Sequence, residues 1–396
     1  MQTNRKEFRR YVAQLNEFDS LMIDVARAEG IYVEDTSGKT YIDMLSGICV
    51  GNMGHRNPKV IAAIRKQLDS YMHVMVYGEF VQSPQLSYAK RLAAYLPDEL
   101  SQLFFVNSGS EAIEGAMKLA RLHTGRSEML SMKNSYHGST LGAVSLLSDP
   151  KYTECFRPLI PDCGYLEFNN EDDLRHITEK TACVVTEVIQ AGGGVILPKK
   201  NYLKKLRQRC SETGTLLILD EIQTGFGRTG SLFAFQQEDF IPDVLCIAKG
   251  MGGGMPIGAF VSSPQIMSSL DNDHPLIGHA TTFGGNPVCC ASALALLDSL
   301  TDGQWITEAN RKGERYKQEL HHEKIKEIRG RGLFLTMELK DASQWKQAIE
   351  SCYANGIITG THLFNSGSLA LKPPLIITDE EITESVARIK KALDAL

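Results

Sequence analysis

The chain has 396 residues, of which 43% are apolar and 22% charged. Its 42 Lys and Arg against 47 Asp and Glu leave a formal net charge of −5. These values exclude a disordered chain, and the weakly acidic balance argues against nucleic acid or an anionic membrane as the main partner.

The opening residues, Met1 to Arg10, are polar and charged and lack the apolar stretch of a signal peptide. No apolar run approaches the roughly 18 residues needed to cross a bilayer. Nine scattered cysteines show no CxxC or Cys/His ligand spacing, which fits reduced thiols in a cytoplasmic protein without a metal site. Gly30 to Asp43 reads as two strands, Ile31-Tyr32-Val33 and Tyr41-Ile42, around the turn Asp35 to Lys39. After Asn57-Pro58, the apolar residues Val60, Ile61, Ile64 and Leu68 follow helical spacing.

From about residue 103 the pattern becomes strand, glycine loop, helix, strand. Leu103 to Val106 is an apolar run, Asn107-Ser108-Gly109-Ser110 breaks it, and Ala112, Ile113, Ala116, Met117 and Ala120 mark a helical face. Further apolar runs lie at Ala182–Val185, Leu216–Leu219, Val244–Ile247 and Ile257–Val261. Strands alternating with helices predict an α/β fold with a mostly parallel sheet covered on both faces. A strand over Leu333–Leu339 and an amphipathic helix over Glu381–Leu396 close the chain. The expected division is an N-terminal segment, 1–50, associated with a small α+β domain, 301–396, and a large cofactor domain, 51–300.

Ligands of such sheets sit at the carboxyl ends of the strands. The residues there are Asn107 to Glu111, Glu187, Asp220 to Gln223 and Ala248-Lys249-Gly250. Lys249 stands among Ala, Met and Gly, where burial lowers an amine's pKa and leaves it able to form a Schiff base. Asp220 ends a fully apolar strand and needs a cationic partner there. A Schiff-base lysine together with an acidic partner for a ring nitrogen is the logic of pyridoxal phosphate. Ser108-Gly109-Ser110, opening a helix, offers an anion site for its phosphate. Gly225-Phe226-Gly227-Arg228-Thr229-Gly230 spells GxGxxG, but no strand runs directly into it and no helix opens at its end, so dinucleotide binding is not expected. No P-loop or HExxH motif occurs.

Nearly the whole chain resembles the class III aminotransferases, which include acetylornithine, ornithine, 4-aminobutyrate and omega-amino-acid transaminases. The matching stretches are Gly51 to Pro58, Asn107 to Ala112, Ser135 to Thr140, Leu219 to Gly230, Ala248-Lys249-Gly250 and Thr281 to Pro287. The resemblance implies the fold type I of pyridoxal-phosphate enzymes. It also implies roles: Lys249 as the Schiff-base lysine and catalytic base, Asp220 as the pyridinium partner, and Ser108, Gly109 and Ser110 at the phosphate. Tyr136 and Ile222 would flank the ring, Gln223 would hydrogen-bond its phenolic oxygen, and His137 and Glu187 would complete the cofactor site. Thr282 would reach the phosphate of a neighbouring subunit, making a homodimer with shared active sites. The implied reaction is ping-pong transfer of an amino group from an amino acid or amine donor to a keto-acid acceptor. An aminomutase or racemase on the same scaffold is the alternative.

Three positions depart from the acetylornithine and ornithine pattern. Ser139 stands where an Arg follows the aromatic-Gly pair, Lys372 precedes Pro373-Pro374 where the family carries an Arg nearby, and Gln190-Ala191-Gly192-Gly193 lacks the Glu that pairs with that Arg. Lys cannot make the bidentate carboxylate contact of Arg. The departures speak against glutamate and 2-oxoglutarate as an obligatory pair and leave Glu187, Ser139 and Lys372 as the expected substrate contacts.

Overall fold

The computed structural model describes residues 2–13, 21–271 and 279–396. Residues 1, 14–20 and 272–278, which belong to the expected N-terminal segment and cofactor domain, lie outside the described residues.

The strands at the start of the chain are β1 (Val25–Glu29), β2 (Tyr32–Asp35) and β3 (Thr40–Asp43), an antiparallel meander. The last two are the strands expected around Asp35 to Lys39. The Asp35 carboxylate fixes their turn by accepting from the Ser37 and Lys39 amides at 2.8 and 3.0 Å. β1 is mostly exposed and carries no apolar alternation, so its sequence does not announce it.

Seven strands make the large sheet: β4 (Gln102–Val106), β5 (Glu128–Met132), β6 (Cys163–Leu166), β7 (Thr181–Glu187), β8 (Leu216–Asp220), β9 (Val244–Ile247) and β10 (Gly258–Ser262). Their order is β4-β10-β9-β8-β7-β5-β6. β10 runs antiparallel to both neighbours, and the other pairs are parallel. Every residue of β7 to β10 is buried. Alternate residues serve two different cores: Cys183, Val185, Leu216, Ile218, Val244 and Cys246 pack on one side, and Val184, Leu217, Leu219, Leu245 and Ile247 on the other. Period-2 alternation with apolar residues on both faces is what a sheet covered on both sides requires.

The helices begin where their caps dictate. Ser108 accepts from the Glu111 amide at 3.2 Å at the head of the helix Gly109–Thr124, which ends at Gly125 in the left-handed region (φ 68°). Asn57 and Asn286 cap Pro58–Ser70 and Pro287–Thr301, each with proline at the first turn. Thr378 and Glu381 form a capping box on the last helix, Asp379–Asp394, which starts two residues before the apolar periodicity suggests.

After the large sheet come β11 (Ile325–Arg331), β12 (Phe334–Leu339), β13 (Ile357–Ile358), β14 (Thr361–His362) and β15 (Asn365–Leu371). β12 is the expected strand near residue 333. Four of the five form an antiparallel sheet, β11-β12-β15-β14. β13 instead pairs in parallel with β3, Ile357 opposite Ile42 and Ile358 opposite Asp43. The beginning and end of the chain thereby share one sheet.

One close approach joins these parts. Gly313, in the helix Trp305–Glu319, faces the carbonyl of Gly332 in the β11–β12 turn, and a Cβ there would collide with that oxygen. The obstacle is backbone and cannot rotate away. Gly313→Ala is therefore expected to destabilise the protein by about 1–3 kcal/mol, the usual cost of overpacking, read as a lower thermal midpoint. An unchanged midpoint would show that this helix can move off.

Candidate functional site

The carboxyl ends of β7, β8 and β9 lie side by side, and each delivers one ionisable residue to the same place. Glu187 is the last residue of β7, Asp220 the last of β8, and Lys249 follows β9 after Ala248. They line a cavity of about 430 Å3 together with Ser108, Gly109 and Ser110 from the head of the helix Gly109–Thr124. Tyr136 and His137, from the loop after β5, and Ile222 and Gln223, from the turn after β8, complete much of the wall.

Asp220 is buried and doubly held. His137 Nδ1 lies 2.7 Å from its Oδ2, and the Ile222 amide donates to its Oδ1 at 2.9 Å. Burial disfavours charge on His137, but the hydrogen bond and negative charge of Asp220 outweigh it and raise the imidazole's pKa. His137 Nε2 is buried without a hydrogen-bond partner. Glu187 keeps one oxygen on the Ala191 amide at 3.0 Å, while its other carboxylate oxygen is buried and unpartnered. Burial pushes the Glu187 carboxyl up to about 7, with His137 pulling down and Asp220 pushing up.

Lys249 adopts positive φ (46°), which an L-residue holds only when its surroundings impose it. Its exposure is to the cavity. Enough protein surrounds it that burial lowers its pKa, against the opposing pull of Cys49, Asp220 and Glu187. An amine so placed is neutral more often and correspondingly more nucleophilic.

The rim is built for close approach. A Cβ on Gly109 would sit 2.8 Å from Ile222 Cδ1, and one on Gly138 (φ 139°) would strike Ser110 Oγ. At Gly138 the positive φ also strains any L side chain. The Ser110 hydroxyl accepts from the Ser139 amide at 3.3 Å. The first-turn amides of a 16-residue helix and three small residues are thus available to an anion in the cavity that Asp220 and Lys249 also line. An acidic partner, a depressed lysine and an anion cradle around one cavity suit pyridoxal phosphate in donor type and charge.

Three expected residues lie elsewhere. Ser139 is at the rim, its hydroxyl 2.6 Å from the Tyr136 hydroxyl. Thr282 is exposed and outside the cavity wall, 3.4 Å from the Tyr77 hydroxyl. Lys372 is 4% exposed and sits behind Gln223, with Nζ 3.4 Å from Gln223 Oε1 and 4.2 Å from the centre of the Phe334 ring. Gln223, and not Lys372, lines the cavity described above. Where the family's partner glutamate is missing, Gly192 packs against Phe364, 3.0 Å from a Cβ placed on it.

The sequence reading missed the segment Ser46 to Val50. Ser46, Gly47, Ile48 and Cys49 all have positive φ, from 51° to 64°. The Asp43 carboxylate accepts from the Leu45 and Ser46 amides at 2.9 Å each, and Ser46 Oγ donates to the Lys372 carbonyl at 2.6 Å. This turn brings Val50 to the cavity wall. The sequence reading also missed Arg228, which the GxGxxG run carries into the core. It is fully buried and donates to the carbonyls of Leu333 and Pro373 and to the side chains of Ser46 and Asn52. A long cation inside a glycine run, just after a buried strand, was the available clue.

Residues 13–393 match the family model for aminotransferase class III. The chain belongs to the class III aminotransferases. It is accordingly a pyridoxal-phosphate-dependent enzyme of amino transfer, with an amino donor and a keto-acid acceptor as substrates. It is 36% identical over 395 residues to an acetylornithine aminotransferase of Clostridium acetobutylicum, across 96% of this chain and 98% of that protein. In structure it is similar to an ornithine aminotransferase of Toxoplasma gondii, with a TM-score of 0.92 and 29% identity over 100% of this chain and 95% of that one. It is also similar to an (S)-enantioselective omega-transaminase of Thermomicrobium roseum, with a TM-score of 0.92 and 28% identity over 100% and 98%. Among the described residues no helix is long and apolar enough to cross a membrane.

The raised Glu187 carboxyl has a consequence for pH. A folded-state pKa above the ordinary value of 4.5 favours the protonated folded form, so this group's contribution to stability is full below about 4.5 and is lost as pH rises towards 7. Glu187→Gln removes that loss. The thermal midpoint of the cofactor-free variant, relative to the parent, is expected to rise between pH 5 and pH 8. A difference that stays flat over that range would mean that Glu187 titrates as an ordinary carboxyl.

Proposed function

We propose that this aminotransferase holds its cofactor on Lys249 and works as a homodimer. The observation that carries the reading is the placing of Lys249 and Asp220 at the ends of adjacent strands, with the Ser108–Ser110 cradle in the same cavity. When bound, pyridoxal phosphate supplies an electron sink for the carbon that loses its proton.

The chain's own residues do the rest. The Ser110 hydroxyl and the first-turn amides hold the phosphate. Asp220, its oxygens oriented by His137 and the Ile222 amide, keeps a proton on the ring nitrogen. Tyr136 and Ile222 confine the ring, and Gln223 donates its amide N–H to the phenolic oxygen. Lys249 Nζ, its amine favoured by burial, takes the proton from the substrate carbon that carries the amino group. The substrate amine and the keto acid use the same cavity in turn, in keeping with a ping-pong order.

Exposed apolar side chains support the homodimer. Met72, Val74, Met75, Tyr77, Phe80 and Val81 stand out from one stretch, with Val81 88% exposed, and Thr282 lies beside Tyr77. Exposed apolar area concentrated in one stretch marks a surface that is covered in use. Residues 51–300 form the cofactor domain in this reading, and 1–50 join 301–396 through the β3–β13 pairing. A cytoplasmic location fits nine free cysteines, seven of them buried. The Ser139–Tyr136 contact and the packing of Phe364 on Gly192 speak against glutamate and 2-oxoglutarate as an obligatory pair.

Two experiments test this. Lys249→Ala is expected to lose both the visible absorbance of bound cofactor and all turnover; a variant that kept either would remove Lys249 from its role. Single candidate amines are then added to the parent protein. An aminotransferase ends in the stable pyridoxamine spectrum until a keto acid is supplied. A return to the starting spectrum without a second substrate would favour the isomerase or racemase alternative.

A further inference from the structure

Lys372 is the second amine of this region, and it is placed unlike the first. Lys249 faces the cavity, whereas Lys372 is 4% exposed and does not line it. Among the described residues, the one hydrogen-bond acceptor that its Nζ reaches is Gln223 Oε1, at 3.4 Å. The ammonium also lies over the Phe334 ring, 4.2 Å from its centre, a contact that favours the charged form. The Lys372 backbone is pinned on both sides. Its amide donates to the Met44 carbonyl at 2.7 Å, and its carbonyl accepts from Ser46 Oγ.

An ammonium has three donors and no acceptor. It therefore determines which end of the Gln223 amide faces it: the oxygen turns to Lys372, and the NH2 group turns away. Gln223 lines the cavity, so its donors are left for an acceptor bound there. A free glutamine presents either end to a ligand and loses rotamer freedom on binding. One held by a buried cation presents donors only.

We propose that Lys372 is a positioning residue that acts through Gln223, setting the side-chain amide so that it donates to an anionic oxygen of the bound cofactor. The proposal rests on the assignment of the cavity to pyridoxal phosphate. It replaces the direct grip on a substrate carboxylate that the sequence suggests for this position. Electrostatics supports it. Burial brings the Lys372 ammonium down to about 8, with Cys49 and Glu187 pulling up and Lys249 and Arg228 pushing down. Charge on Lys372 is thus present below about pH 8 and declines above it, and the restraint on Gln223 weakens over the same range.

The test compares four holoenzymes: the parent, Lys372→Met, Gln223→Ala and the double variant. Two quantities are read in each: the dissociation constant of pyridoxal phosphate and the pH midpoint of the bound cofactor's visible absorbance. In the parent background, Lys372→Met is expected to weaken cofactor binding by about three- to tenfold, the size of one ordinary hydrogen bond, and to move the midpoint. The loss is largest below pH 8 and narrows above it. In the Gln223→Ala background the same change does nothing further. Additive effects of the two substitutions would overturn the proposal. So would a KM raised for carboxylate substrates with the absorbance midpoint and cofactor affinity unmoved, which is the pattern of direct substrate contact. Lys372→Gln keeps a polar head in the same space and carries the same expectation at smaller size, so a Lys372→Met chain that fails to fold leaves the test intact. A parent protein that takes up no pyridoxal phosphate would sink the cofactor assignment itself, before any variant is compared.

Discussion

A fully buried guanidinium holds the frame around the cavity. Among the described residues, the hydrogen-bond partners of Arg228 are neutral oxygens rather than carboxylates, and its Nε is buried without a partner; burying a charge is expensive unless its donors are met. Its two terminal nitrogens are met by neutral oxygens drawn from three distant stretches: Ser46 and Asn52, Leu333, and Pro373. Asn52 in turn donates to the Phe226 carbonyl beside it and accepts the Leu375 amide on its own carbonyl. Burial lowers the pKa of Arg228, and Cys49 and Asp43 oppose that effect from nearby. Losing any one of these oxygens would leave a buried donor unpaired, so the three stretches are coupled through one side chain.

That frame explains why the chemistry of the cavity is shaped by burial more than by ion pairing. Burial is the largest cause of the raised pKa of Glu187 and of the lowered pKa values of Lys249 and Lys372. The exception is the Asp220–His137 contact, where a short hydrogen bond overrides the cost of burial. A carboxyl kept protonable, an amine kept deprotonable and an aspartate held by two donors are three environments within one small space. Parallel strands create them, because each strand ends on the same side of the sheet and exposes one residue beyond an apolar run.

The strands of the large sheet were legible because burial on both faces leaves continuous apolar runs, as in Leu216–Leu219 and Val244–Ile247. Lys249 and Asp220 were legible because each breaks such a run with a charge. The fold family and the reaction rested on the joint motifs rather than on any one residue. What escaped has physical reasons. β1 is an exposed edge strand with no alternation to read. The positive φ values of Ser46 to Cys49 are imposed by Asp43, Lys372 and Arg228, which lie three to about 330 residues away in sequence. Lys372 stood out in sequence as a departure, but its contact with Gln223 was not legible, since sequence does not say on which side of Gln223 a long side chain lies. Arg228 was hidden inside a run that spells a different motif.

The parallel pairing of β3 with β13 sets an order of assembly. All the strands that carry Glu187, Asp220 and Lys249 are complete by residue 247, yet the wall contributed by Ser46 to Val50 leans on Lys372, Pro373 and the strand at Ile357–Ile358. Chains fold broadly from the N-terminus as they are made. Residues near Ser46 therefore cannot take their final place until the chain as far as Lys372 has been made. The cavity wall at Val50 thus depends on a residue 326 positions downstream of Ser46.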